Sequence, residues 1–220
     1  MPVGILLPRG EWVPEEQSTK QQGRVDRRVQ EFRAHVLETA ESLFAERGVE
    51  ATKIDDICIE ADVAKRTLCN HFPTKAHIVQ ALSRDAVSRM VVRIDDARTS
   101  GTSARERVSL LFTSMFEGEG PRGPIQRESV DAFFHVAHGT PDAADSEIRV
   151  SDAILLLLQE GGADELPAGC SAETFAEVIL GAIYSTTLEW IHRDDYDVET
   201  RTAEVGRFIV SLLPEPAALD

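Results

Sequence analysis

The stretch TKIDDICIEADVAKRTLCNHFPTK, Thr52 to Lys75, reads as two short helices that cross at a tight corner. Thr52 supplies a start signal, because its hydroxyl can accept an orphan backbone N–H, and Asp55 follows three residues on in the manner of a capping box. The spacing therefore predicts a helix that opens near Lys53. Ile54, Ile57, Cys58 and Ala61 recur at i, i+3, i+4 and i+7, which makes one apolar face, while Asp55, Asp56 and Glu60 fall on the other. Asp62 follows where a sharp corner is needed, and Asp is among the few residues other than glycine that tolerate left-handed backbone. Val63 and Leu68 can close against Ile57 and Ala61, so that Lys65, Arg66, Thr67, Asn70 and His71 lie on the outer side of a second helix of barely two turns.

That outer set suits the major groove of double-stranded DNA. Lys and Arg donate to guanine O6 and N7, Asn bonds adenine bidentately, and Thr offers a hydroxyl and a methyl. Lys75, just beyond the pair, suits a phosphate. A solvated helical hairpin inside an unrelated α-helical protein is the plain alternative, and the number of positions that agree at once favours the DNA reader.

With Leu43-Phe44-Ala45-Glu46-Arg47-Gly48 ending a first helix, and Arg66-Thr67-Leu68, Asn70-His71-Phe72 and Lys75 after it, residues 33 to 79 resemble the N-terminal domain of TetR-family transcriptional regulators. The resemblance implies a three-helix head whose third helix lies in the major groove, followed by a divergent helical domain that dimerises and takes a small effector. Carried across residue by residue, it makes Lys65, Arg66, Thr67, Asn70 and His71 the expected DNA contacts, with Lys53 and Lys75 near phosphates and Thr52 also among the DNA-binding residues. Four positions depart from the family pattern. The corner glycine is Asp62, a helix-capping serine is Ala64, a threonine after Thr52 is Lys53, and a tyrosine of the recognition helix is Cys69. Two hydroxyls that can meet phosphates are thus missing, and Lys53 offers a full charge in partial exchange.

A net charge of −15 looks wrong for a DNA binder until it is divided along the chain. Residues 24–77 hold nine Lys/Arg against ten Asp/Glu, whereas residues 78–220 hold 12 against 25. The acidity belongs mainly to the C-terminal part, where it repels DNA. The head is nearly neutral, so groove contacts and dimerisation must carry more of the binding.

The organisation expected is an irregular, flexible extension over 1–23, a helix-turn-helix domain over 24–77 and a helical domain over 78–220. Pro2, Gly4, Pro8, Gly10 and Pro14 break any sustained period in the extension. Arg24, Arg27, Arg28 and Arg33 follow; a solvated basic helix start explains them more simply than an arm laid in a minor groove. Beyond Lys75 the chain reads as helices near 76–98, 103–117, 124–138, 142–160, 171–192 and 197–213, with Pro214 as a stop. Three helices in the head bring the all-α total to about nine.

The last two long helices carry Phe175, Ile179 and Ile183, then Val205, Phe208, Ile209 and Leu212, at amphipathic spacing. The resemblance makes them a four-helix dimer interface, and a symmetric dimer matches a palindromic site; packing within the subunit is the other reading of the stripe. Phe112, Met115, Phe116, Phe133, Phe134, His138, Leu155, Tyr184 and Trp190 come from the helices that surround the effector cavity in the family, and an apolar ligand suits them. His135 and His138, at i and i+3, lack the further ligands that a metal needs, so neither a metal nor a cofactor is expected.

Three cysteines, Cys58, Cys69 and Cys170, have neither disulfide-framework nor zinc spacing. Cys69, on the DNA-facing helix beside Lys65 and Arg66, also admits a thiol-based response to oxidants. There is no Gly-rich phosphate loop and no nucleophile elbow, so no enzyme is expected. The start of the chain meets acid early and lacks a basic leader, and no long apolar run exists, which points to a cytoplasmic protein without membrane contact. The expectation is a homodimeric repressor released from DNA by a small apolar effector. The competing reading is an effector-independent architectural or protein-interaction dimer on DNA.

Overall fold

The computed structural model of the chain describes residues 4–6, 12–115 and 149–215, which form eight α-helices, one 3-10 turn and a short β-hairpin. They fall into two compact units, Met1–Ile78 and Val79–Asp220.

In the first unit, β1 (Gly4–Leu6) pairs antiparallel with β2 (Trp12–Pro14), Ile5 opposite Val13. Both strands pack on α1 (Glu15–Arg47). Of the irregular extension expected over 1–23, the described residues form two paired strands and the first turns of α1. Glu15, Glu16, Gln17, Lys20, Gln21 and Gln22 are strong helix formers, and propensity needs no apolar period to act. Further along α1, Val36, Ala40, Leu43 and Phe44 recur at helical spacing and are buried. Gly48 ends the helix with a left-handed φ of 79°, its N–H donating to the Phe44 carbonyl at 2.8 Å.

Next come α2 (Ile54–Glu60) and α3 (Lys65–His71), the two expected short helices. Ile57, Cys58 and Ala61 of the first and Leu68 and Phe72 of the second are buried, so the apolar faces close on each other and on α1 as the spacing predicts. The corner is a Schellman turn. Val63 N–H reaches the Cys58 carbonyl at 2.9 Å, Asp62 N–H reaches Ile59 at 3.2 Å, and Asp62 itself has φ 53°. An Asp thus holds the left-handed position that glycine fills most easily.

The long helix α4 (Lys75–Ser100) continues from the first unit into the second. There follow α5 (Ala104–Ser114), α6 (Val150–Gln159), α7 (Ala172–His192) and α8 (Val198–Leu212), with a 3-10 turn at Ala163–Glu165. Ser103, Ser171 and Asp197 cap α5, α7 and α8, each accepting the N–H three residues on. One hydrophobic cluster joins α4 through α8, with Ile94, Leu111, Ile154, Leu157, Ile179 and Ile209 sealed from solvent. Arg107 is buried among them and is held by Glu165 at 2.8 Å. Because an unpaired charge there is expensive, this pair fixes the α6–α7 connection to α5.

Four expected helices, near 76–98, 103–117, 171–192 and 197–213, correspond to α4, α5, α7 and α8. The one near 142–160 is described only from Val150, and the one near 124–138 lies outside the described residues. No described helix is long and apolar enough to cross a membrane.

The stripe expected to form the dimer interface divides in two. Phe175, Ile179, Ile183 and Ile209 are buried in the subunit's own cluster, so their assignment to an interface is corrected. Helices α7 and α8 are apolar on more than one side, and spacing alone does not say which side faces inward. Phe208, 64% exposed, and Leu212 remain on the surface with Val178 and Leu188, and Val205 is half-buried.

Candidate nucleic-acid interface

At about 100° per residue, Arg66 and Asn70 lie opposite Leu68 on α3, and Thr67 lies at one side of that face. All three are exposed, and Leu68 is fully buried. The helix is thus clamped by its apolar side and presents a guanidinium, an amide and a hydroxyl outward. Lys65 and His71 flank this set, exposed and half-buried respectively. The sequence predicts all five on the outer side of the helix; four of them are exposed, and His71 is half-buried.

The flanks are less free than the middle. Lys65 Nζ lies 2.7 Å from the Asp55 carboxylate of α2, and this hydrogen bond raises the ammonium above its ordinary pKa. The His71 ring rests against the Phe32 ring of α1, centroids 4.8 Å apart and tilted by 44°. His35, also on α1, is bonded through Nε2 to the Ala61 carbonyl at the end of α2, at 3.1 Å. Side chains of α1 therefore reach the C-terminal ends of both short helices, whose last carbonyls have no partner within the helix.

Two expected DNA contacts are corrected. Thr52 is 1% exposed; its hydroxyl turns inward and donates to the Gly48 carbonyl at 2.8 Å. The cap of α2 is Lys53, whose N–H donates to the Asp56 carboxylate at 2.9 Å. The start lies one residue later than the threonine suggests, so Asp56 takes the reciprocal capping position and Asp55 is left to bind Lys65. Lys75, expected near a phosphate, instead directs its ammonium to the carbonyls of Val49, Glu50 and Thr52. It draws the start of α4 onto the loop that precedes α2. Lys53, expected near a phosphate, is exposed.

Ala64 caps α3 without a side-chain bond. Cys69 is half-buried, one turn beyond Lys65, while burial, reinforced by Asp55, pushes the Cys58 thiol up. Of the two cations expected beside Cys69, Lys65 is paired with Asp55 and Arg66 is exposed.

Of the residues expected to surround an effector, Phe112 and Met115 lie buried in the cluster of the second unit, and Leu155 packs against it. Trp190 is buried, and Tyr184 is half-buried with its hydroxyl pushed up to about 12 by burial. Phe116, Phe133, Phe134, His135 and His138 lie outside the described residues. A cleft of about 340 Å³ opens between α5 and α8, with Phe112, Gly206 and Val210 in its floor and Arg105 and Arg207 at its sides. Among the described residues expected in an effector pocket, Phe112 alone lines it. Among the described residues, no cluster of His, Cys, Asp and Glu is arranged to hold a metal.

Residues 36–82 match the sequence model of the bacterial regulatory proteins of the tetR family. The HTH-type transcriptional repressor KstR2 of Mycobacterium tuberculosis is 35% identical over 94 residues, which is 43% of this chain and 47% of that protein. The chain thus spans about half the length of this relative. The fatty acid metabolism regulator protein of Bacillus subtilis is 21% identical over 181 residues, covering 80% of this chain and 92% of the regulator. Among solved structures, a TetR-family regulator from Pectobacterium atrosepticum superimposes with a TM-score of 0.60 at 20% identity, over 85% of this chain and 96% of the other. FadR of Bacillus subtilis in complex with stearoyl-CoA does so with a TM-score of 0.53 at 19% identity, over 81% and 97%.

Proposed function

We propose that this chain, whose residues 36–82 match the sequence model of the bacterial regulatory proteins of the tetR family, is a homodimeric, ligand-responsive repressor. In this reading α3 enters the major groove, with Arg66, Asn70 and Thr67 on base edges and Lys53 on a phosphate. Lys65 joins them by exchanging the Asp55 carboxylate for a phosphate. The observation that carries the reading is the outer face of α3: three exposed hydrogen-bonding side chains on a helix fixed by a Schellman corner behind it.

A dimer presents two such helices to successive major grooves, about 34 to 36 Å apart or a multiple of that, on a palindromic operator. Val178, Leu188, Phe208 and Leu212 are the exposed apolar residues of α7 and α8 that a second copy would cover. The effector is apolar and acts by binding one arrangement of the two heads more tightly than the other. The acyl chain bound by FadR supports this ligand class.

Genomic footprinting recovers the operator, and adding stearoyl-CoA to the isolated complex tests the effector class. Release of the DNA is expected; a complex that persists at saturating stearoyl-CoA excludes a long acyl chain as effector. A dimer that binds DNA without an effector is the second reading, favoured by the dense packing of the α4–α8 cluster. Persistence with every apolar ligand tried would select it.

A further inference from the structure

We infer that Arg33, on α1, is a positioning residue for α3: it fixes the direction of the recognition helix and so sets sequence discrimination without itself touching DNA. The inference rests on the DNA-reading function proposed above.

A seven-residue helix has too few internal bonds to hold its own direction, so its ends must be held from outside. The N-terminal end of α3 follows directly from the corner closed by Val63 and Asp62. The C-terminal end is met by side chains of α1. Arg33 Nη1 donates to the His71 carbonyl at 3.5 Å, one of the last carbonyls left open by the helix. The same guanidinium lies 4.6 Å from the centroid of the Phe72 ring, which is 1% exposed and caps α3. A cation on an aromatic face and a bond to a helix C-terminus both favour this one placement. Phe32, the neighbouring residue, holds the His71 ring. Among the described residues no carboxylate pairs with Arg33, so its charge is directed to the end of α3.

The consequence differs from that of a phosphate contact. Bidentate bonds from Arg66 and Asn70 to base edges tolerate little tilt, whereas a phosphate attracts a cation from a range of directions. Loosening the C-terminal end of α3 should therefore weaken binding to the correct sequence and leave binding to an arbitrary one unchanged.

The test uses the full chain and two duplexes, one recovered by the unaltered protein from a random library and one with that sequence scrambled. Arg33→Met keeps the aliphatic stem and removes the cation and its donors. It is expected to lower the ratio of the two affinities about tenfold, with the scrambled duplex bound as before. Arg33→Lys, which keeps a cation over the ring, is expected to restore most of the ratio. Phe72→Leu, which keeps an apolar core residue and removes the ring, gives a second route to the same loss should Arg33→Met fail to fold.

An unchanged ratio in Arg33→Met, or in Phe72→Leu where the Met variant does not fold, overturns the inference. So does an equal loss on both duplexes with a shallower salt dependence, which would make Arg33 a phosphate contact. A Lys variant no better than the Met variant overturns it as well, since a stem that merely packs would explain both. If the unaltered chain recovers no sequence from the library, the DNA-reading function itself falls and the inference with it.

Discussion

Asp55 and Lys65 face each other across the corner between α2 and α3, carboxylate to ammonium, at 2.7 Å. Both side chains are well exposed, so water screens the pair and it adds little to stability. Its effect falls on DNA, because a phosphate must compete with Asp55 for Lys65. Asp55→Asn is expected to tighten binding to random duplex and steepen the logarithmic salt dependence by about one unit, with the melting temperature unchanged. Unchanged salt dependence would show that Lys65 never exchanges partners.

Arg66→Ala and Asn70→Ala are expected to weaken binding to the recovered operator by about 1 to 3 kcal/mol each. Binding to random duplex should change far less. Competition titrations with both duplexes measure the difference, and equal losses on the two would remove these residues from base recognition.

Lys75→Met is expected to act on the fold of the head. Its ammonium serves three carbonyls around the start of α2, and the loss should lower stability by about 1 kcal/mol. Denaturant unfolding gives the stability, and a salt titration on random duplex is expected to show an unaltered slope. A slope shallower by one unit at unchanged stability would return Lys75 to a phosphate.

Gly206→Ala sets two effects against each other. Alanine in a helix interior gains about 1 kcal/mol over glycine. Here, however, a Cβ would sit 2.6 Å from Phe112 Cγ, and overpacking of this kind costs about 1 to 3 kcal/mol. The ring stem cannot move aside as the tip of a flexible side chain can, so a lower melting temperature is expected; a higher one would mean that α5 and α8 part easily at this point.

The helix pair was legible because its signals are local. Ile57, Cys58 and Leu68 follow helical spacing, and Asp62 is one of few residues suited to the left-handed corner that it occupies at φ 53°. Thr52 misled because a hydroxyl serves equally well as a cap or as an inward donor, and only the position of Gly48 decides which. Lys75 misled in the same way: a cation near a helix start suits a phosphate, but it also suits carbonyls brought close by a fold that spacing does not show. The roles of Arg33 and His35 depend on where α1 meets the ends of two later helices, a relationship across 26 and 38 residues of sequence without a local signature. The resemblance assigns Phe175 and Ile179 to an interface, but α7 is apolar on more than one side, and only the packing separates the buried side from the exposed one.

The most direct measurement is selection from a random duplex library by the full chain at about 0.15 M salt, where non-specific attraction is strongly reduced. The account predicts enrichment of a two-fold symmetric sequence whose half-site centres lie about 10 base pairs, or a multiple of that, apart. A recovered pool indistinguishable from the starting library would contradict it.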